Sequence, residues 1–378
     1  MRILILSCNT GEGHNSCAKA LKETFDSKGH YCIIEDALSF ISQTTSKVMS
    51  KGHTFVYRHL PGLFRWGYRY AENHPGAYRK GSALRNYFCS GNQRLAEYID
   101  SGDFDVVICA HVFCGVMLTD AKKLCKSDFY TAFVGTDYTC SPTTEASDLD
   151  VYFIPDDALK REFTDYGIPE SKLVSSGIPV RQMFYENTDK KTAKTAEGVN
   201  AKHSHLLVMS GSMGCGPIDN LVFLIAKSLH EDEEITVVCG TNKRMQKKLS
   251  KRYRHSPNIH IKGYVTDISR LMDSADLYLT KPGGISVTEA KHKRLPMVCV
   301  DAVAGCEEYN RRFFVERGCA ISGKSVIALS KQCLSLLRQS DKREEMEKNY
   351  DTIEQMNSAQ YICDYLNGRV LFRSSIRI

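Results

Sequence analysis

The stretch that decides the fold is Asp276-Leu-Tyr-Leu-Thr-Lys-Pro-Gly-Gly-Ile-Ser-Val-Thr-Glu-Ala290. It begins with a short apolar run that predicts a buried strand, and the residues after the glycine pair have a helical pattern. Two adjacent glycines, Gly283 and Gly284, let the backbone come close to a ligand at such a strand-to-helix turn. The free N–H groups at the start of the helix favour a phosphate. Glu289, about one turn into the helix, is expected to hold a ribose through its hydroxyls.

Two further turns in the same half of the chain have related compositions. A second glycine-rich turn is Ser210-Gly-Ser-Met-Gly-Cys-Gly216, and an acidic loop is Gly305-Cys-Glu-Glu-Tyr-Asn310. The three turns together favour a nucleotide-sugar site. The donor-binding residues predicted from them are Gly211, Ser212, Met213, Gly214, Pro282, Gly283, Gly284, Ser286, Glu289, Glu307, Glu308 and Asn310.

The chain repeats one α/β plan twice. An apolar run at 2–7, a glycine turn, a helical pattern from 16 to about 27 and a strand at 31–35 open the N-terminal half, and this order is typical of a doubly wound parallel sheet. A second series starts at 205. Ligands of open α/β sheets bind beyond the carboxyl ends of the strands. We therefore predict an α/β protein with two Rossmann-like domains facing a cleft.

Domain boundaries follow from the same patterns. The N-terminal domain is predicted at 1–185, a polar linker at 186–204 and the C-terminal domain at 205–345. A C-terminal helix and tail at 346–378 are expected to pack back on the N-terminal domain. The other predicted strands are 106–110, 130–134, 151–154, 205–210, 235–239, 259–262, 276–280 and 297–300, and 325–366 is expected to be helical throughout.

Composition places the chain among soluble globular proteins. Its 378 residues are 42% hydrophobic and 25% charged, and a net charge of +6 does not by itself indicate nucleic acid. The fifteen cysteines are scattered, with no CxxC pair and no zinc spacing. Without a signal peptide, this pattern indicates a reducing cytosol. No apolar run approaches the ~18 residues of a spanning helix, so any membrane contact is expected to be peripheral.

Two candidate catalytic residues come shortly after predicted strands. His14 ends Gly11-Glu-Gly-His14 at the start of a helix, and an imidazole titrates close enough to neutrality to act as a general base. The same turn partly matches a dinucleotide fingerprint, but Ser16 stands where the third glycine belongs. Asp137 follows the strand at 130–134 and either orients the imidazole or serves as the base itself. The alternative for Asp137 is a turn former or helix cap.

Residues 47–88 combine basic and aromatic side chains. Eight basic residues are balanced only by Glu72; they are Lys47, Lys51, Arg58, Arg65, Arg69, Arg79, Lys80 and Arg85. One interpretation is a packed, solvated helix pair. The other is an interfacial element in which basic groups meet anionic lipid headgroups and aromatic rings lie at the hydrocarbon boundary. RNA binding uses similar residues, but no RNA-binding module accompanies them. The predicted acceptor and membrane residues are Gly13, Arg58, Arg65, Trp66 and Arg69.

With these motifs in view, the chain resembles the diacylglycerol glycosyltransferases, which include plant monogalactosyldiacylglycerol synthases and bacterial processive diacylglycerol glucosyltransferases. The resemblance runs from about residue 1 to 365. It rests on Gly11-Glu-Gly-His14, Thr136-Asp137, Gly177-Ile-Pro-Val180, Gly211-Ser-Met-Gly214, Lys281-Pro-Gly-Gly284 with Ser286 and Glu289, and Gly305-Cys-Glu-Glu-Tyr-Asn310. It implies a GT-B glycosyltransferase fold, a UDP-sugar donor in the C-terminal domain, a lipid acceptor on the N-terminal domain and inversion at the sugar carbon.

The chain departs from the family pattern at two places. Ala304, Cys306 and Tyr309 replace three residues of the usual Pro-Gly-Gln-Glu-Glu-Gly-Asn motif. Cys140-Ser-Pro-Thr-Thr144 stands where His and Trp are common in the family. The donor elements are therefore better preserved than the acceptor elements.

The resemblance implies a hexosyltransferase of glycolipid biosynthesis that moves glucose or galactose from a UDP-sugar to a lipid hydroxyl, with 1,2-diacylglycerol as the expected acceptor. His14, supported by Asp137, would deprotonate the acceptor. The glycine turns would hold the diphosphate, and Glu307, Glu308 and Asn310 would face the sugar hydroxyls.

No cofactor and no metal is expected, and the acidic pair Asp148 and Asp150 is interpreted as a solvated loop. The expected partners are a UDP-sugar, a lipid acceptor and the anionic inner face of the cell membrane, which the cytoplasmic protein would bind peripherally. No nucleic acid is expected, and the oligomeric state is left open. The alternatives are a UDP-sugar epimerase on the same fold and an NAD-dependent oxidoreductase.

Overall fold

A computed structural model of the chain describes residues 1–8, 12–74, 78–211, 218–300, 305–323 and 325–376. Within these ranges the description does not extend to the side chains of residues 50, 51, 53, 54, 57–59, 61, 64 and 373–376. The predictions for Gly11, Ser212, Met213, Gly214 and the Arg58 side chain therefore lie outside the described residues.

The chain forms two compact units. The N-terminal unit comprises Met1–Gln182, Val303–Cys306 and Met356–Ile378, and the C-terminal unit comprises Met183–Ala302 and Glu307–Gln355. The described residues of each unit contain a six-stranded parallel sheet flanked by helices. The predicted α/β class with two Rossmann-like domains is confirmed.

The sheet of the N-terminal unit has the strand order β2-β1-β3-β4-β5-β6. Its strands are β1 (Arg2–Ser7), β2 (Tyr31–Asp36), β3 (Val106–Cys109), β4 (Tyr130–Val134), β5 (Val151–Ile154) and β6 (Leu173–Ser175). Its helices are α1 (Glu12–Ser27), α2 (Gln43–His59), α3 (Pro61–Asn73), α4 (Ala83–Cys89), α5 (Asn92–Gly102), α6 (Val112–Ala121) and α7 (Lys160–Asp165). The central strands are continuous apolar runs because helices cover both faces of a parallel sheet.

The sheet of the C-terminal unit has the order β12-β11-β10-β7-β8-β9. Its strands are β7 (Ser204–Met209), β8 (Glu233–Val238), β9 (Ile259–Lys262), β10 (Leu277–Thr280), β11 (Met297–Cys299) and β12 (Ala320–Ser322). The accompanying helices are α8 (Lys190–Glu197), α9 (Ile218–Ala226), α10 (Lys243–Arg252), α11 (Ile268–Asp273), α12 (Gly284–His292), α13 (Cys306–Glu316), α14 (Val326–Leu337) and α15 (Ser340–Asn349). The last helix, α16 (Ser358–Ile376), belongs to the N-terminal unit.

Three sequence expectations differ from the structure. The polar stretch at 186–204 contains α8, because Asp189 caps its N-terminus and Gly198 ends it with a positive φ of 78°. The region 325–366 is broken into α14, α15 and α16 rather than helical throughout. The short strands β6 and β12 were missed, since in each only the first of three residues is buried, whereas the predicted β11 is buried throughout.

The C-terminal helix packs within the N-terminal unit from residue 356 onward, whereas residues 346–355 belong to the C-terminal unit. Lys28, which directly follows α1, forms an ion pair of 2.5 Å with Asp364 in α16. The Tyr365 ring meets Phe153 of β5 edge to face, with 5.3 Å between the ring centroids. The last helix therefore helps to cover the N-terminal sheet.

Candidate active site

His14 lies in the first turn of α1, beyond the carboxyl end of β1. Its Nδ1 atom lies 2.8 Å from the carbonyl oxygen of Ala110, which directly follows β3. The same nitrogen lies 3.0 Å from the Thr136 hydroxyl, just after β4. The carboxyl ends of three strands thus converge on one imidazole ring, as expected for a ligand site in a parallel sheet.

The Ala110 contact determines the tautomer of His14. A carbonyl oxygen only accepts hydrogen bonds, so Nδ1 must carry the proton and donate. In the neutral ring the lone pair then belongs to Nε2. This is the state that a general base needs, because Nε2 can accept a proton from an acceptor hydroxyl.

A second histidine lies beside the first. His111 caps the N-terminus of α6, where its Nδ1 accepts from the backbone N–H of Phe113 at 3.1 Å. Its ring meets the His14 ring edge to face, with 4.5 Å between the centroids. Because Nδ1 accepts, the neutral His111 carries its proton on Nε2. Sequence reasoning missed His111, although its position at the end of a predicted strand was a usable signal.

Asp137 follows β4 and is half-buried. Its neighbour is Cys306, which belongs to the N-terminal unit. Burial and then the nearby Asp137 carboxylate raise the pKa of the Cys306 thiol. The Cys306 sulfur also lies 3.1 Å from the Tyr68 hydroxyl and 3.6 Å from the Ser141 hydroxyl. Asp137 therefore lies in a polar cluster to which α3 contributes Tyr68.

Two independent features require glycine at position 305, next to this cluster. Its φ of 69° lies in the left-handed region that favours glycine. A Cβ at this position would also come within 2.7 Å of the Tyr68 ring. No local sequence signal linked Tyr68 to this loop, since the two are far apart in the chain.

In the C-terminal unit, the Lys281-Pro-Gly-Gly284 turn joins β10 to α12 as predicted. The first intrahelical hydrogen bond runs from Val287 N to the Gly283 carbonyl, so the preceding N–H groups at the helix start have no partner within the helix. A Cβ at Gly283 would meet no atom of the described residues within 4 Å. The described residues therefore leave space for an anion at this helix N-terminus.

Residues at the start of α13 hold this turn in place through a hydrogen bond and an ion pair. Asn310 is fully buried and donates from Nδ2 to the Pro282 carbonyl oxygen at 3.1 Å. Glu307 forms an ion pair of 2.5 Å with Lys281. Glu308 is exposed and pairs with Arg311. Asn310 was expected to face sugar hydroxyls, but its side chain is enclosed by protein and holds the backbone of the turn.

Glu289 lies on the second turn of α12 and is half-buried. Tyr278 of β10 lies near Glu289. Burial raises the pKa of the Tyr278 phenol, and the Glu289 carboxylate raises it further. Ser286 lies in the first turn of the same helix. Gly211, at the end of β7, has a φ of 65°, which only glycine adopts readily.

Comparisons with known proteins find matches in both halves of the chain. Residues 14–180 match the family described as monogalactosyldiacylglycerol (MGDG) synthase, and residues 218–352 match glycosyl transferases group 1. The chain is 27% identical over 365 residues to the processive diacylglycerol beta-glucosyltransferase of Bacillus subtilis (strain 168), an alignment that covers 96% of this chain and 94% of that protein.

Both halves of the chain therefore match glycosyltransferase families, and the chain is similar to diacylglycerol glycosyltransferases. Among solved structures, MurG of Acinetobacter baumannii matches with a TM-score of 0.66 at 15% identity, covering 97% of this chain and 99% of that one. Staphylococcus aureus MnaA with UDP matches with a TM-score of 0.62 at 12% identity, covering 97% of each chain. At these identities the structures show the fold alone, and they confirm the GT-B architecture.

The segment 47–88 of this glycosyltransferase forms α2, α3 and α4. Trp66 is 64% exposed and stacks on Tyr70, and Arg65 and Arg69 are exposed on the same helix. Other exposed apolar side chains of the segment are Val48, Phe55, Leu60, Leu63, Leu84 and Tyr87. The N-terminal unit therefore presents an apolar and basic surface here, and Gly13 lies in the first turn of α1.

Arg85 was counted in the predicted basic segment, but its side chain is buried. It is 6% exposed, pairs with Asp120 and donates to the carbonyl groups of Tyr78 and Ala146. Its charge is therefore used inside the glycosyltransferase. Among the described residues, no helix has the length and apolarity needed to cross a membrane.

The acidic pair before β5 is engaged with neighbouring lysines. Asp148 lies 2.6 Å from Lys172, and Asp150 lies 2.9 Å from Lys122. Asp150 also accepts hydrogen bonds from the backbone and the hydroxyl of Thr131. The interpretation of this acidic pair as a solvated loop is therefore incomplete, because Asp150 links β4 to β5.

Proposed function

We propose that this enzyme transfers a hexose from a UDP-sugar to the free hydroxyl of diacylglycerol, with inversion at the anomeric carbon. The observation that carries the proposal is the Lys281–Gly284 turn. It combines N–H groups that have no partner within the helix with space over Gly283 that the described residues leave open. The Bacillus subtilis relative is named for diacylglycerol as acceptor and glucose as the sugar. Staphylococcus aureus MnaA, which shares the fold, has been solved with UDP.

The proposed reaction uses groups already described. Nε2 of His14 accepts the proton of the diacylglycerol hydroxyl while that oxygen bonds to the anomeric carbon. The bond between the anomeric carbon and the UDP oxygen breaks, and the electron pair leaves with the diphosphate. Backbone N–H groups at the start of α12 stabilise this developing negative charge, so the proposal assigns no role to a metal or cofactor. Asp137 is the second candidate for the base, and the Ser212–Gly214 segment remains a proposed diphosphate contact.

Glu289 is proposed to bind the ribose hydroxyls, with Ser286 beside it on α12. Glu307 and Glu308 remain the candidates for contacts to the sugar, whereas Asn310 acts through the turn. We propose that the enzyme works on the cytoplasmic face of the membrane, which it reaches through the exposed α3 residues Arg65, Trp66 and Arg69. Arg58 of α2 stays a further proposed contact.

The test is an incubation of the purified protein with labelled UDP-glucose or UDP-galactose and diacylglycerol in vesicles. The expected product is a β-linked glycosyldiacylglycerol, identified by mass spectrometry and by NMR of the anomeric proton. Conversion of the UDP-sugar without a lipid product would favour the epimerase alternative. Reduction of NAD without sugar transfer would favour an oxidoreductase, and either result would contradict the proposal.

A further inference from the structure

A cavity of about 730 Å³ lies in the N-terminal unit, bordered by the residues after α3, the end of α6 and the loop before β5. Six basic side chains line it: Arg79, Lys80, Arg85, Lys122, Lys123 and Lys172. Three carboxylates line it, from Glu145, Asp148 and Asp150. The volume is within the range of small-molecule sites. Its lining carries an excess of positive charge, which nothing in the proposed reaction uses.

The cavity is separate from the candidate catalytic residues. Asp150 directly precedes β5, and Lys172 directly precedes β6, so both mark the amino ends of strands. His14 and Asp137 follow the carboxyl ends of β1 and β4. In a parallel sheet the amino ends and the carboxyl ends of the strands lie on opposite sides, about 13 Å apart for a strand of four residues. A ligand in the cavity would therefore not compete for the catalytic edge.

Part of the positive charge is neutralised by the protein itself. Lys122 and Lys172 each have a carboxylate of their own, at 2.9 and 2.6 Å. Arg85 and Lys123 share the single carboxylate of Asp120, at 2.8 and 2.7 Å. The four cations are thus fixed in place by three acids and keep one unit of excess charge.

Arg79 and Lys80 supply further positive charge. Both side chains are exposed, and neither has a carboxylate partner among the described residues. A guanidinium group next to an ammonium group offers several charged N–H donors to one anion. Arginine and lysine together are well suited to phosphate, which accepts hydrogen bonds on several oxygens.

Glu145 supplies the third carboxyl group of the lining. Its Oε2 atom is buried and has no hydrogen-bond partner among the described residues. Burial raises the pKa of the Glu145 carboxyl group, which favours the neutral acid.

We infer that this cavity is a second ligand site, which binds an anion carrying a phosphate group through Arg79 and Lys80. The phosphate belongs either to a free solute or to the headgroup of a lipid, and the two sources share the same contacts. The site is independent of the proposed reaction, since none of its residues takes part in sugar transfer.

Calorimetry with inorganic phosphate, at an ionic strength held constant with sodium chloride, tests the inference. The wild-type protein is expected to bind phosphate both with and without saturating UDP. The exposed pair is replaced in the double variant Arg79→Gln/Lys80→Gln, which is expected to bind phosphate at least about tenfold more weakly, because two charge-assisted hydrogen bonds are lost. The matched control Lys19→Gln/Lys126→Gln removes the same charge from exposed positions outside the cavity and should bind like wild type.

A second arm uses dihexanoylphosphatidylglycerol as a dispersed monomer, with dihexanoylphosphatidylcholine for comparison. Tighter binding of the phosphatidylglycerol than of phosphate, lost in the Arg79→Gln/Lys80→Gln variant, supports the site with a lipid headgroup as the source. Binding of phosphate alone, with the same loss, supports the site with a free solute as the source. Three results overturn the inference: no binding of either probe to wild type, equal binding by the double variant, or abolition of phosphate binding by UDP.

Discussion

At the scale of single residues, the Ala110 carbonyl group decides which nitrogen of His14 can accept a proton. It occupies Nδ1–H at 2.8 Å and leaves the lone pair on Nε2. The side chain that the sequence suggested as the orienting group was Asp137, but a backbone oxygen performs this role for Nδ1. A backbone contact of this kind has no signature in the side-chain sequence.

Replacement of His14 by alanine removes the proposed base. We expect turnover in His14→Ala to fall by roughly 10²–10⁴-fold, while UDP affinity stays at the wild-type value. Turnover of a glycolipid product and calorimetry with UDP measure the two quantities. His255→Ala, which changes an exposed histidine of the C-terminal unit, is the control. Full activity in His14→Ala would transfer the role of base to Asp137 or another group.

Replacement of Glu289 tests the proposed ribose contact. Glu289→Ala should weaken UDP binding by about 1.5–3 kcal/mol, because a charge-assisted hydrogen bond is lost. Calorimetry on the folded variant measures the change. Glu345→Ala removes an exposed carboxylate from α15 and serves as the control. Unchanged affinity in Glu289→Ala would exclude the ribose role.

At the scale of elements, α13 determines the shape of the donor turn. Its residues Glu307 and Asn310 hold Lys281 and the Pro282 carbonyl group, so the N–H groups at the start of α12 are presented in a fixed position. The acidic loop and the glycine turn, which the sequence presented as two separate motifs, are therefore one structure. Preorganised N–H groups stabilise developing charge without reorganisation during the reaction.

Truncation of Asn310 should separate support from direct sugar contact. Asn310→Ala leaves the Pro282 carbonyl group without this donor, which should lower the free energy of unfolding by about 1–3 kcal/mol. UDP affinity should fall as well, because the turn loses its support. Urea titrations and calorimetry measure the two effects, with the exposed Asn187→Ala as control. A loss of sugar specificity at unchanged stability would instead indicate direct contact with the hexose.

Helix α3 has two different faces. Tyr68 packs against Gly305 and Cys306 beside Asp137, while Arg65, Trp66 and Arg69 are exposed. The helix thus connects the candidate membrane surface to the neighbourhood of a candidate catalytic residue within one unit. The packed-helix interpretation and the interfacial interpretation each describe one of these faces.

The exposed face of α3 can be tested by flotation with anionic vesicles. Wild-type binding should fall with salt but persist, because Trp66 adds apolar insertion to a charge attraction of about 1 kcal/mol per basic residue. Arg65→Glu/Arg69→Glu should reduce vesicle binding and lipid glycosylation together while UDP affinity stays constant; Arg58→Glu should add to the loss. Lys243→Glu/Arg244→Glu makes the same charge change on α10. If both double variants float like wild type, α3 is only a structural helix.

At the scale of the whole molecule, buried polar groups make stability depend on pH. His205 of β7 is buried, accepts from the Thr236 hydroxyl at 2.8 Å and donates to the Ser274 carbonyl oxygen at 3.0 Å. Burial lowers the pKa of this imidazole from 6.5 to about 4. The neutral ring therefore stabilises the fold fully above pH 6.5, and this contribution declines below that pH and is lost by about pH 4.

The free energy of unfolding of the C-terminal unit should therefore drop by about 2 kcal/mol between pH 7.5 and pH 5 through His205 alone. In His205→Gln, whose side chain does not titrate, the drop should be smaller by this amount. Urea titrations at the two pH values measure the difference, and His255→Gln is the exposed control. An equal pH dependence in wild type and His205→Gln would show that the imidazole is not held neutral.

Most strand positions, the glycine turn before α12 and the α/β class followed from the sequence, because apolar runs and glycine turns report local backbone geometry. The strand at 130–134 and the helix start at Gly284 are examples that the structure confirms. Helix α8 within the expected linker was missed, since its short amphipathic pattern is mostly lysine and threonine.

What the sequence determined by itself is which residue types stand at the carboxyl ends of the strands, because parallel topology brings those ends to one edge of a sheet. Only the tertiary structure decided how they are used. The Ala110 carbonyl group sets the tautomer of His14, and Asn310, predicted as a sugar contact, supports the turn through the Pro282 carbonyl group. Arg85, predicted on a basic surface, pairs with Asp120, and Tyr68 contacts Cys306. Each of these depends on contacts between residues distant in the chain, which local patterns do not encode.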